Sequence, residues 1–79
     1  MLKLRIISAE GCLFDSEVEA IFFPSTLGEF EVLPHHADLI STICQGEIRI
    51  RKDGTESRIA VRSGVVRIEK SVIIACVEV

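Results

Sequence analysis

Apolar and polar residues alternate with a period of two along most of the chain, and no stretch sustains a 3.6-residue repeat. Leu2, Leu4 and Ile6 alternate with Lys3 and Arg5, which predicts a half-buried first strand. Val18, Ala20 and Phe22 alternate with Glu17 and Glu19, and Ile48 and Ile50 with Glu47, Arg49 and Arg51. Lys52-Asp53-Gly54-Thr55 predicts a hairpin, because Asp-Gly supplies the positive φ that a tight turn needs. The returning strand points Ile59 and Val61 inward and Arg58 and Arg62 outward. Ser63-Gly64 then turns the chain into a strand with Val66 and Ile68 on one face, Arg67 and Glu69 on the other. Glu69-Lys70-Ser71 leads into a last strand over Val72–Val79. About eight to ten short strands with close-set turns predict an all-β fold, an antiparallel β-sandwich or flattened barrel, as a single domain over residues 1–79.

Two segments break the alternation. Ile21 and Phe23 continue the face that Glu17 and Glu19 had made polar. In the last strand Ile73, Ala75, Val77 and Val79 are apolar, and so are Val72, Ile74 and Cys76 on the opposite face. A strand apolar on both faces needs cover on both. In one small sandwich the outer cover has to come from a partner, unless the strand is simply an apolar edge of a closed barrel. Ile21, Phe23, Ile73, Ala75 and Val77 are the expected partner-facing set.

Size sharpens this expectation. A 79-residue chain buries only about 60% of its unfolded surface, so its stability alone should be marginal. The apolar fraction of 48% excludes disorder, and with Trp and Tyr absent the aromatic packing rests on Phe14, Phe22, Phe23 and Phe30. No apolar run reaches the roughly 18 residues of a membrane-spanning helix, and Met1-Leu2-Lys3-Leu4-Arg5 has no signal-peptide layout, so a soluble chain without direct membrane insertion is expected.

The net charge of −3 argues against a nucleic-acid partner. Residues 1–45 carry two basic and seven acidic groups, residues 46–79 seven basic and five acidic. That asymmetry suits either two different docking surfaces or two solvated sheet faces. Cys12, Cys44 and Cys76 are too few and scattered for a disulfide framework, and are expected as reduced, buried thiols.

Candidate chemistry is thin. His35-His36 is the only pair that a metal could use, but neighbours on an extended chain point to opposite sides. Glu31 and Asp38 complete no recognised zinc spacing. Ser41 and Cys44 lie near His36 in sequence, with no glycine elbow to present either as a nucleophile. Gly11, Gly28, Gly46, Gly54 and Gly64 are isolated turn glycines, with no phosphate-cradling run. Glu29 and Glu31, two apart on a strand edge, face one way and would need a cleft to work as acid and base. No catalytic residue, no cofactor site and no metal site is expected.

The segment Gly28-Glu29-Phe30-Glu31-Val32-Leu33-Pro34-His35-His36-Ala37 reads as a glycine turn, a short extended piece and a proline-stopped loop. A second glycine turn follows at Gln45-Gly46 and opens Glu47-Ile48-Arg49-Ile50. This resembles the G-E-x-x-[apolar]-x-P-x-H-A loop and following strand of the epsilon subunits of bacterial F-type ATP synthases, called delta in mitochondria. Leu4-Arg5-Ile6-Ile7-Ser8-Ala9-Glu10 is similar to that family's first strand and turn. Phe14 with Val18-Glu19-Ala20-Ile21 resembles its F-x-G-x-V stretch, with Ser16 where glycine is common. Ala60 to Ile68 resembles its glycine-pair segment, with Ser63 replacing the first glycine. The likeness covers some 75 residues in order.

The resemblance implies a ten-stranded sandwich and a non-catalytic rotor subunit in the central stalk. Its expected partners are the gamma subunit, the polar loops of the membrane c-ring and, indirectly, the alpha/beta hexamer, at the cytoplasmic face of the bacterial cell membrane. Gly28, Glu29, Phe30, Glu31, Pro34 and His36 match the family's ring-facing loop, with Glu31 where a small residue is common. Ile21, Phe23, Ile73, Ala75 and Val77 become the expected gamma-facing set. The family's C-terminal helical hairpin, which inhibits ATP hydrolysis and in some members binds ATP, has no counterpart after Val79, so neither role is expected of these residues. The competing reading is a stand-alone β-sandwich that binds another protein or a small ligand in a concave pocket.

Overall fold

Nine strands form in the computed structural model, which describes all 79 residues. In chain order they are β1 (Leu2–Ser8), β2 (Gly11–Val18), β3 (Ala20–Phe23), β4 (Phe30–Val32), β5 (Leu39–Ile43), β6 (Gly46–Lys52), β7 (Thr55–Val61), β8 (Ser63–Glu69) and β9 (Val72–Glu78). They make a five-stranded sheet in the order β2-β1-β9-β8-β5 and a four-stranded sheet in the order β4-β3-β6-β7. The expected sandwich forms, with nine strands and not the ten that the resemblance implies, and there is no helix that is long and apolar enough to cross a membrane. The Asp53-Gly54 hairpin joins β6 to β7 with φ of 52° and 74°, the left-handed pair of a type I′ turn.

One pairing lies outside the antiparallel expectation: β1 and β9 run parallel, with Leu4 opposite Ile73 and Ile6 opposite Ala75. This pairing joins the first strand to the last. It also decides which face of β9 is inward. Ile73 and Ala75 sit between Leu4 and Ile6 on one side and Ile68 and Val66 on the other, and all four of those neighbours are buried. The apolar face shared by these strands can only be the core.

Seventeen residues are buried, every one of them apolar, and sixteen form a single cluster drawn from both sheets. Ile21, Phe23, Ile73 and Ala75 have no exposed surface and Val77 only 7%. These five are therefore core residues, and the reading of them as a partner-facing set is corrected. Their apolar character serves the sandwich interior, where each removes its side chain from water on both sides.

The irregularity at residues 17–23 has a simple cause. Val18, Ala20 and Ile21 are all fully buried, because the chain leaves one sheet at Val18 and enters the other at Ala20. Strands that switch sheets do so at bends, where the in–out alternation resets. Glu19 is the hinge: its N–H donates to the Arg51 carbonyl at 2.9 Å and its Oε1 accepts from the Gly54 N–H at 3.1 Å. After the reset Phe22 points outward and half-buried, not inward as the earlier alternation predicts.

Two smaller expectations also change. Gly64 lies within β8 opposite Val77, with the bend at Arg62. A methyl group there would stand 2.5 Å from the Cys76 carbonyl oxygen and 3.1 Å from the Val77 Cα, so glycine allows β8 and β9 to approach. The cysteines are not core hydrophobes: Cys12 and Cys76 are exposed and Cys44 is half-buried.

Candidate docking surfaces

The Gly28–Ala37 segment forms two turns separated by β4. The first is closed by the Ser25 N–H donating to the Gly28 carbonyl at 3.2 Å and the Gly28 N–H returning to the Ser25 carbonyl at 3.0 Å. Gly28 takes φ of 109°, which favours glycine, and Leu27 stands fully in solvent at the tip. In the second turn the His36 N–H donates to the Leu33 carbonyl at 3.1 Å. Pro34 and His35 are its central residues, and His35 holds a φ of 72° that such turns usually give to glycine.

Between the turns, β4 presents alternate sides. Phe30 turns inward and stacks at 5.5 Å on Phe23, and Val32 is buried. Glu31 is exposed, and its carboxylate forms no ion pair within the chain. Glu29 behaves differently, because both of its oxygens are taken. Arg49 on β6 donates from Nε to Oε2 at 3.0 Å and from Nη2 to Oε1 at 2.6 Å. The guanidinium lies 4.3 Å above the Phe22 ring, a cation–π contact that helps to hold it flat. Its third side donates to Glu56 at 3.0 Å, and Arg58 continues the chain of charges from Glu56 to Glu47. The outward Phe22 is thus the platform for a clamp on the first turn.

The paired hydrogen bonds from Arg49 hold the Glu29 carboxyl below its ordinary range, with the charges of Arg49 and Arg58 adding to them and partial desolvation opposing. Because the folded-state value is depressed, the clamp's contribution is complete above the unfolded carboxylate value. It is lost as pH falls through the lowered folded value. Arg49→Gln is expected to return the Glu29 midpoint toward the ordinary glutamate value, which a carboxyl-carbon NMR titration of the two proteins reads directly.

The histidines do not converge on one point. His36 is half-buried, with Nδ1 donating to the Ala37 carbonyl at 2.7 Å, while His35 is exposed in the turn. No three His, Cys, Asp or Glu side chains come together. The Ser41 hydroxyl donates to the Thr42 carbonyl at 3.2 Å and not to a histidine.

The second surface is the outer face of the five-stranded sheet. Cross-strand register places Arg5, Ile74, Arg67 and Ile40 in one row, and Ile7, Cys76, Val65 and Thr42 in the next. Ile40 is 66% exposed, Val65 47%, Val72 44% and Ile74 37%. Ile40, Val65, Ile74 and Cys76, with Arg67, border a shallow depression of about 300 Å³. These side chains form an apolar stripe across the outer face of the sheet, with Arg5 and Arg67 in one of its rows. The sequence carries a signal for it: the doublets Ile6-Ile7, Leu39-Ile40, Val65-Val66 and Ile73-Ile74. Each doublet sits in a strand of this sheet, so one member must face outward.

A family model described as the ATP synthase delta/epsilon chain β-sandwich domain matches residues 1–79. The chain belongs to that delta/epsilon family. It is 41% identical over 71 residues to the ATP synthase epsilon chain of a Sulfurovum species, covering 89% of this chain and 56% of that protein. It is 40% identical over 78 residues to the ATP synthase epsilon chain of a Nitratiruptor species, covering 98% and 60%. This delta/epsilon-type sandwich therefore spans rather more than half the length of those two relatives. Its fold matches a chain of the Euglena gracilis mitochondrial ATP synthase with a TM-score of 0.90 at 18% identity, over 96% of this chain and 49% of that one.

Proposed function

We propose that the chain is a non-catalytic central-stalk element of a proton-translocating F-type ATP synthase. In this reading it docks the gamma subunit onto the polar loops of the c-ring and couples ion-driven rotation to ATP synthesis. The observation that carries the reading is the exposed apolar stripe on the five-stranded sheet, in a chain whose family relatives are ATP synthase epsilon chains. Ile40, Val65, Val72, Ile74 and Cys76 take the gamma-facing role, in place of the five core residues. Glu31 and the turn around Pro34 and His36 face the ring, with Glu29 held back as part of the scaffold. The alpha/beta hexamer is reached through gamma, and the complex places the chain at the cytoplasmic face of the bacterial membrane.

Mechanics favour a broad grip over a point contact. One proton crossing 100 mV releases about 2.3 kcal/mol, so several per ATP amount to roughly 10 kcal/mol passed through the stalk. A standard protein interface takes about 800 Å² from each partner. That is roughly a sixth of the 4823 Å² surface and compares with one broad side of a body measuring 26 × 22 × 18 Å. A small-ligand module would instead need an enclosing pocket, and the depressions on this chain are open at the surface.

Co-expression with the gamma subunit of the same genome tests the reading. A one-to-one complex that survives size exclusion is the expected result. A chain that elutes alone beside folded gamma would overturn it.

A further inference from the structure

Within the sheet, Arg67 is the basic residue of the outer face whose neighbours on both adjacent strands are apolar. Its register partners are Ile74 on β9 and Ile40 on β5. Lys3 and Arg5 on the same face stand opposite Glu17 and Asp15 on β2, so acidic groups of the chain itself offset them. Arg67 has no acidic residue in register on either adjacent strand, and like Lys3 and Arg5 it forms no ion pair within the chain. Asp38 and Glu69 border the adjoining depression. Neither pairs with Arg67: Asp38 accepts the Lys70 N–H through Oδ1 at 2.7 Å, and Glu69, two residues along the same strand, makes no ion pair. An unpaired guanidinium thus stands between Ile74 and Ile40 across the sheet, with Glu69 the nearest acid along its own strand.

A molecule that lies over this stripe strips water from that guanidinium. Burying a charge without a counter-charge opposes binding strongly enough to cancel much of the gain from the apolar contacts. The conflict disappears if the covering surface supplies an acid. A guanidinium presents a planar fork of donors that a carboxylate meets with two parallel hydrogen bonds.

We infer that the surface docking on this face is apolar and carries one carboxylate placed to meet Arg67, which makes Arg67 the residue that selects the partner. The inference rests on the reading that this face receives the gamma subunit. Acceptance of the right partner then depends on a charge match at the centre of the contact, while the surrounding Ile40, Val65 and Ile74 supply area that many apolar surfaces could cover.

Calorimetric titration of the chain with that gamma subunit tests it, using Arg67→Leu, Arg67→Lys and Arg67→Glu, with Arg51→Glu on the other sheet as the control for net charge. Arg67→Leu leaves the partner's carboxylate buried and unpaired, and is expected to weaken binding by about 30-fold or more. Arg67→Glu sets like charges together and is expected to lose more than about 100-fold, while Arg67→Lys keeps the charge without the fork and falls between wild type and Arg67→Leu. Arg51→Glu is expected to stay near wild type. Thermal melts confirm that each variant is folded, as the exposure of Arg67 implies. Binding by Arg67→Leu as tight as wild type, or tighter, would show that the partner offers no carboxylate and overturn the inference. Equal losses in Arg51→Glu and Arg67→Glu would reduce the effect to net charge and overturn it too. Failure of the wild type to bind gamma would overturn the docking reading, and the inference with it.

Discussion

Phe23→Ala is expected to cost about 3–5 kcal/mol of folding stability, the usual range for removing a buried phenyl ring. Phe23 has no exposed surface, is the largest fully buried side chain, and stacks on Phe30. Few groups are available to collapse into the space it leaves, because the cluster consists mainly of stiff β-branched residues already in contact. At the usual 0.05–0.15 kcal/mol per residue, a chain of 79 residues has only about 4–12 kcal/mol in total. The loss is therefore a large share of the whole. Urea unfolding followed by far-ultraviolet circular dichroism measures it, since there is no Trp or Tyr to report by fluorescence. Phe22→Ala is the informative comparison. Phe22 is half-buried under Arg49 on the outer face, so its removal should loosen the Glu29 clamp and leave the core intact. A mild effect at Phe23 would mean that the ring does not pack between the sheets.

The difference between these two neighbours shows where the sequence is legible and where it is not. Alternation locates β1, β6 and β8 and their inward sides directly, because each is flanked by charges on the other face: Lys3 and Arg5, Glu47 and Arg49, Arg67 and Glu69. Asp53-Gly54 fixes a hairpin by local backbone sterics alone. The reading fails where both sides of a strand are apolar, at residues 20–23 and along β9. There the in–out choice is made by register with other strands, and the decisive contact, β1 beside β9, joins residues some 70 positions apart. No local pattern encodes a parallel closure of first strand on last.

The candidate site is legible to a similar degree. The two turns around β4 follow from Gly28 and Pro34. The Arg49–Glu29 clamp links side chains 20 residues apart on different strands, and nothing in their spacing announces it. Two acids that look equivalent in the sequence are placed differently, Glu29 tied to Arg49 and Glu31 with its carboxylate free of ion pairs. The apolar outer face is visible in the sequence only as doublets, and a doublet reveals that one residue faces outward without revealing which.

Val65 and Val66 turn that ambiguity into an expected result. Val66→Asp places a carboxylate at a position with no exposed surface, between Ala75 and Ser41 and under the core cluster. A charge there has no partner, and the expected loss of more than about 4 kcal/mol leaves the chain largely unfolded. Val65→Asp places the same group one residue earlier, where the side chain is 47% exposed beside Cys76 and Thr42. Its cost to the fold should stay near 1 kcal/mol, the scale of strand preference. Its cost to docking should be far larger, because an aspartate there competes for Arg67, two residues along the same face, and sets a second carboxylate beside the one the partner brings. Capture of gamma is expected to weaken by about 100-fold or more, equivalent to roughly 3 kcal/mol. Size exclusion with a thermal melt separates the outcomes: Val66→Asp fails the melt, whereas Val65→Asp passes it and elutes alone. If Val65→Asp melts like wild type and still co-elutes with gamma, the five-stranded sheet is not the docking face. The grip would then have to lie on the charged outer side of the other sheet, where the row from Glu29 through Arg49, Glu56 and Arg58 to Glu47 is already satisfied within the chain. Such internally paired groups give a partner little to replace, which is why the apolar face is the stronger assignment.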